Sequence, residues 1–371
     1  MVIKVKNPFN PAFGLRPEQF IGRDDISGEF IRSLSNLNSP WRSTLIVGVR
    51  GSGKTAILSD IMMKLKEQNI IIVSTTPEDG FLDRVLGQIY RQLPMYVIDK
   101  LPKLKSVSAN LGVSISVGKD DKKPDFTQTF DYQITEMLLS NNKKKSHIVF
   151  LIDESQKHNA DIRTFITTYQ QLIMKELPVS LVMAGLPEVI KDVLNDDVLT
   201  FLRRANIVDL QNIDTSLVSA DYRNVFRRTE FEVSESVLNC AAEATCGFPY
   251  LIQLVGYYLW ENLAKGYDGD ILDQTILESK VRLFKNVHQL VFDGLSNMDR
   301  EFMFSMLEDV GYSKIQAIHR RLGKDKNYVT QYRSRLIAKG VIKPAGHGLL
   351  AFTFPYMREF LEKKRNEIGL W

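Results

Sequence analysis

The feature that most limits how this chain can fold is the run Gly48-Val-Arg-Gly-Ser-Gly-Lys54-Thr55. The apolar stretch TLIVGV leads into it, and a helical pattern, AILSDIMMKLKEQ, leaves it. Three glycines at 48, 51 and 53 allow the backbone to turn without Cβ clashes, so that N–H groups can converge on an anion. The first turn of the helix adds its free donors and the positive end of its dipole. Spacing of this kind places Lys54 against the β- and γ-phosphates of a nucleotide and lets the Thr55 hydroxyl bind Mg²⁺. The expected nucleotide contacts here are Gly48, Arg50, Gly51, Ser52, Gly53, Lys54, Thr55 and Ala56. Strand, glycine loop and helix in that order belong to an open α/β sheet with its ligand at the strand's C-terminal end.

Further apolar runs agree with such a sheet. Ile70–Ser74, Ile148–Ile152 and Val179–Ala184 read as buried strands, with a weaker one at Ile207–Leu210, and amphipathic helical stretches separate them. Strands alternating with helices predict a parallel sheet covered on both faces. The second of these runs, Ile148-Val-Phe-Leu-Ile, ends in Asp153-Glu154. Carboxylates at that end of a strand can face a bound nucleotide: Asp153 in the Mg²⁺ shell, Glu154 as the general base that polarises an attacking water. Within the insertion at 106–124, the strict alternation Leu111–Val117 predicts a half-buried strand or hairpin, of no assigned role.

After about Ser216 the strand patterns stop. Asp221–Arg228, Glu235–Cys246, Tyr250–Lys265 and Asp270–Leu295 read as helices. The last part then changes character. Helical patterns at Asp299–Glu308, Ser313–Leu322 and Lys326–Lys339 precede two short strands, Val341–Lys343 and Leu349–Phe354, joined by a Gly/Pro turn. Three helices and two strands in that order read as a winged helix. The boundaries expected are therefore 1–214, 215–295 and 296–371.

Charge is unevenly spread. The net charge of the whole chain is +4, yet Ser296–Trp371 carries 14 Lys/Arg and 8 Asp/Glu, and Ser313–Lys343 holds nine Lys/Arg against one Asp. A basic block inside a folded segment points to an anionic partner, nucleic acid first. The candidate DNA-reading residues on the third helix are Lys326, Asn327, Tyr328, Thr330, Gln331, Arg333 and Arg335, with His347 at the turn. A protein partner for the same module stays open. Two cysteines cannot form a disulfide framework, no apolar run reaches the roughly 18 residues of a membrane span, and the N-terminus lacks a secretory h-region. A cytoplasmic protein with no membrane contact is expected.

The series FIGRDD, glycine loop, Asp153-Glu154, the stretch Leu194–Arg204 and Gly247-Phe-Pro249 resembles the AAA+ P-loop ATPases, nearest to the replication-initiator (origin-recognition-like) and STAND-like prokaryotic branches. The resemblance implies an α/β P-loop domain with strand order 5-1-4-3-2, a helical lid and a C-terminal winged helix, with ATP and Mg²⁺ bound between sheet and lid. It also implies that Phe20, Ile21, Gly22 and Arg23 line the adenine pocket, with Pro249 near the base. Arg203 or Arg204 stands where such proteins place an arginine finger, which would complete the site of a neighbouring copy in a homo-oligomer. Two polar groups of the family are missing: the strand Val179–Ala184 has no sensor residue at its end, and the stretch Gly247-Phe-Pro-Tyr-Leu251 contains no arginine. The expected function is a slowly hydrolysing ATP switch that binds DNA. The alternatives are a STAND-like signalling scaffold with a protein partner, or an ATPase subunit of a mobile-element or defence system.

Overall fold

The computed structural model describes residues 6–12, 23–66, 68, 70–98, 129–141, 147–153, 160–267 and 269–368. The expected strand at Leu111–Val117, and the 106–124 insertion around it, lie outside the described residues.

Five strands, β1 (Ser43–Val47), β2 (Ile70–Thr75), β3 (His147–Ile152), β4 (Val179–Gly185) and β5 (Asn206–Asp209), form one sheet. All of its pairings are parallel. The spatial order is β2-β3-β4-β1-β5, the 5-1-4-3-2 arrangement expected from the resemblance. β3 and β4 are buried at every position, which is why their sequences are continuous apolar runs rather than alternating ones. One face of the sheet packs against Phe81, Ile134, Phe165 and Tyr169, and the other against Phe30, Ile57, Ile61 and Leu65. Those second-face residues belong to helices Asp24–Ser33 and Lys54–Leu65, which are also joined through a buried carboxylate: Asp60 accepts from the Ser27 hydroxyl and lies 2.6 Å from Lys64 Nζ.

The helical part begins earlier than its pattern suggests. Its first helix spans Thr215–Phe226, because the Asp214 side chain accepts from Ser216 N and caps it. Ser234 caps Glu235–Ala244 and Asp270 caps Ile271–Leu283, while Pro249 opens Pro249–Ala264 at its first position. The long helix expected over Asp270–Leu295 is interrupted: Phe284–His288 is a π-helical turn, followed by Gln289–Asp293. The extra residue in that turn carries both Val287 and His288 into the core, where His288 is fully buried among Phe284, Phe354 and Phe360.

The C-terminal part contains helices Asn297–Ser305, Ile315–Leu322 and Lys326–Ala338 and a small antiparallel sheet, ordered β6 (Ser313–Lys314), β8 (Leu349–Phe352), β7 (Ile342–Pro344). β6 takes the first two residues of the segment expected to be helical from Ser313. A final helix, Met357–Ile368, has no counterpart in the sequence reading. The buried apolar side chains of the helical part and the C-terminal part form one continuous cluster, into which Phe9 of the N-terminal lead-in also inserts. Phe9 packs edge-on to Tyr222, and Gly256 is obligatory beneath it, since a Cβ there would lie 2.3 Å from the Phe9 ring.

Sheet and helical parts meet at a tight turn. Ile213 N donates to Gly247 O at 2.8 Å, and Gly247 has φ +66. A Cβ at Gly247 would sit 1.8 Å from Ile213 O, whereas at Gly266, with φ +63, it would meet nothing within 4 Å. Gly266→Ala is expected to cost about 1–2 kcal/mol, the left-handed conformation alone. Gly247→Ala should cost clearly more, because backbone must also move; equal losses in urea melts of the two variants would refute the close approach.

Candidate functional site

The run after β1 folds as a loop in which five carbonyls are held by hydrogen bonds. Lys54 Nζ donates to Gly48 O at 2.9 Å and Val49 O at 3.0 Å. Tyr250 N donates to Gly51 O at 3.2 Å, and the Arg23 guanidinium donates to Ser52 O. Gly53 O accepts from Ile57 N at the start of helix Lys54–Leu65. The N–H groups of Gly51 and Gly53 meet no acceptor among the described residues. The Ser52 hydroxyl is also buried without a partner. Gly51 and Gly53 are half-buried and Ser52 is buried, and a buried polar group without a partner is rare. Closely spaced free N–H groups of this kind, a nest, can accept an anion.

Glycine is required at three points of this loop. Gly51 and Gly53 have φ +77 and +92. A Cβ on Gly51 would lie 2.9 Å from the Phe248 ring, and one on Gly48 would lie 2.3 Å from Ser52 Oγ. Arg50 is exposed, and Ala56 is half-buried on the following helix.

The second half of the site comes from β3. Thr55 Oγ1 donates to Asp153 Oδ2 at 2.7 Å, so the hydroxyl and carboxylate singled out as Mg²⁺ ligands are adjacent. Both are hard oxygen donors, and the donor set fits Mg²⁺. Glu154 lies outside the described residues, as do Phe20, Ile21 and Gly22.

Arg23 is described and is 6% exposed. Its guanidinium reaches Ser52 O in the phosphate loop and Gln211 O, at 2.6 Å, in the segment between β5 and the helical part. Burial alone lowers its pKa to about 10. Pro249 lies over the same loop, 3.7 Å from where a Gly53 Cβ would be. The helix it opens, Pro249–Ala264, contains no basic residue. β4 carries one polar side chain, Ser180, which is at the far end of the strand from the loop and bonds His147 at 2.8 Å. Both gaps noted in the sequence are therefore real in space.

Arg203 and Arg204 are exposed at the end of a short helical turn, Thr200–Arg204, with Arg203 Nε donating to Leu194 O at 2.9 Å. Of the basic helix, Lys326, Asn327, Thr330 and Gln331 are exposed, while Tyr328 and Arg333 are half-buried and Tyr328 stacks on Tyr332. Arg335 has a structural partner: it lies 2.8 Å from the fully buried Asp299, which Lys339 also approaches at 3.4 Å. Sequence periodicity had placed Arg335 on the outward face but could not reveal this carboxylate. The reading also missed Lys314 and Lys343, exposed on the two outer strands of the small sheet and on the same face of it, opposite Leu349 and Ala351 of β8. His347 is exposed at the turn beside them.

The C-terminal part touches the phosphate loop directly. A Cβ on Gly340, just beyond the basic helix, would lie 2.7 Å from Val49 Cγ1 and 3.6 Å from Pro187. Among the described residues no helix is long and apolar enough to cross a membrane.

Two family models match the chain: an AAA ATPase domain over residues 19–182, and a domain of unknown function (DUF8462) over residues 285–361. No curated protein sequence matches. Among solved structures, the Walker-type ATPase of Pyrococcus abyssi is 15% identical with a TM-score of 0.65, covering 94% of this chain and 97% of its own. The ORC2 protein of Aeropyrum pernix, solved as ADPNP–ADP complexes, is 10% identical with a TM-score of 0.59, covering 97% and 98%. The likeness runs the length of the chain, and residues 19–182 match the AAA ATPase domain: the fold is that of the AAA+ P-loop ATPases.

Proposed function

We propose that this protein is an ATP-binding switch that hydrolyses ATP slowly and binds DNA through a C-terminal winged helix. One observation carries the nucleotide half: the inward, unpaired N–H groups of the Gly48–Lys54 loop beside the bonded Thr55–Asp153 pair. Thr55 and Asp153 would hold Mg²⁺, which when bound neutralises charge on the β- and γ-phosphates. Lys54, now held on loop carbonyls, is within its own loop's reach of a phosphate. Glu154, next to Asp153, is the expected general base. The absence of a polar sensor at the end of β4 and of an arginine in helix Pro249–Ala264 removes two sources of charge stabilisation, which favours slow turnover. Exposed Arg203 or Arg204 would supply that charge across a homo-oligomer interface.

The DNA half rests on the exposed donors of Lys326–Ala338 and on Lys314, Lys343 and His347 nearby. Contact between Gly340 and Val49 gives this module a mechanical link to the phosphate loop, so a ligand that reshapes the loop shifts the module through differential contacts. A scaffold role with a protein partner remains the second reading, supported by the engagement of Arg335 in an ion pair with Asp299.

Three outcomes test this. Lys54→Ala should weaken ATP binding at least about tenfold in calorimetry; unchanged affinity would remove the phosphate-loop assignment. Glu154→Gln should keep ATP binding but lower phosphate release by about 100-fold or more, and normal turnover would mean another base. Lys326→Ala with Arg333→Ala should weaken duplex DNA binding and flatten its dependence on log salt by up to about two units of slope; an unaltered slope would move the module to the protein-partner reading.

A further inference from the structure

The structure assigns to Arg23 a role different from base lining: it is the positioning residue that presets the phosphate loop, holding the Ser52–Gly53 peptide so that its N–H faces the anion. The inference rests on the nucleotide reading above.

A peptide bond is planar and trans, so its C=O and N–H point in opposite directions. The Arg23 guanidinium bonds Ser52 O, with its nitrogen 3.2 Å from the position a Gly53 Cβ would take. That carbonyl is therefore fixed toward Arg23, and the Gly53 N–H is turned the other way, into the nest, where it meets no acceptor among the described residues. The guanidinium thus sits behind the loop and acts on a phosphate through the peptide.

Three further observations fit a preset clamp. Gly53 has φ +92, and without a Cβ it returns to other conformations freely, so an external hold is needed to keep one of them. The same guanidinium bonds Gln211 O at 2.6 Å, which ties the loop to the segment after β5 and gives the clamp a rigid anchor. Arg23 is also a buried cation whose bonded partners among the described residues are two backbone carbonyls, and burial lowers its pKa. Burying such a charge is costly unless something compensates it. A phosphate in the nest, on the far side of the polarised peptide, is such a compensation. A guanidinium also strengthens the peptide's N–H as a donor, since bonds in a chain polarise one another.

The base-lining and clamp roles differ in what they do to a ligand without a base. The experiment measures binding of ADP and of inorganic pyrophosphate, by calorimetry, to the full chain and to Arg23→Ala and Arg23→Lys. If Arg23 presets the loop, Arg23→Ala weakens ADP and pyrophosphate by the same factor, roughly ten- to a hundredfold, and Arg23→Lys recovers part of both. If Arg23→Ala weakens ADP and leaves pyrophosphate unchanged, the clamp is overturned in favour of base lining. A loss that Arg23→Lys does not recover at all, with a nucleotide-free melting temperature lowered in both variants, overturns it in favour of a general packing role. Should the unaltered protein bind neither ligand, it is the nucleotide reading that fails, and Lys54→Ala would then behave like the parent chain.

Discussion

The site depends on one constraint: in the loop after β1, carbonyl oxygens must be held outward for N–H groups to stay inward. Lys54 holds two of them, the following helix a third, and Tyr250 and Arg23 the others named above. The first three are local. The last two come from other parts of the chain, the first turn of helix Pro249–Ala264 and the residue before helix Asp24–Ser33. An anion site of this kind is thus a joint product of three regions, and its geometry exists only when they are docked.

That docking explains why the helical and C-terminal parts share a core. Phe248 covers Gly51 of the loop and meets Phe354 edge-on at 6.1 Å between ring centres, while His288, in the π-helical turn, bonds Pro355 O at 2.9 Å. The segment Phe354–Tyr356 is held on both sides, with the Tyr356 hydroxyl donating to Ala244 O at 2.7 Å. A side chain packed this tightly has few continuous ways to move. Displacement of Phe248 would be passed to the C-terminal part as a rigid shift rather than absorbed. The Val49–Gly340 contact offers a second, shorter route between the same two parts.

Much of this was legible in the residues. The strands of the parallel sheet fall within a few residues of their apolar runs, most clearly β3 and β4, where burial at every position writes a continuous run. Thr55 and Asp153, separated by almost a hundred positions, meet because the loop and helix leaving β1 and the residue just past β3 lie at the same C-terminal edge of a parallel sheet. The helix ends were less legible: Asp214 and Asp270 cap helices whose apolar periodicity starts later or runs on further. The π-helical turn was hidden because Val287 and His288 are buried by a change of pitch that the flanking pattern does not record. β6 was hidden because two residues are too few for an alternation.

The sequence by itself determined the local pieces: the glycine loop between strand and helix, the parallel alternation, the acidic end of β3 and the basic run near the C-terminus. Each depends on periodicity or on backbone freedom within a few residues, and so is written where it acts. Only the tertiary structure decided that Arg23 grips Ser52 O, that the buried Asp299 pairs with Arg335, and that Gly340 rests on Val49. Those contacts join residues whose spacing along the chain carries no signal, because a buried charge or a missing Cβ finds its partner only after the layers have packed.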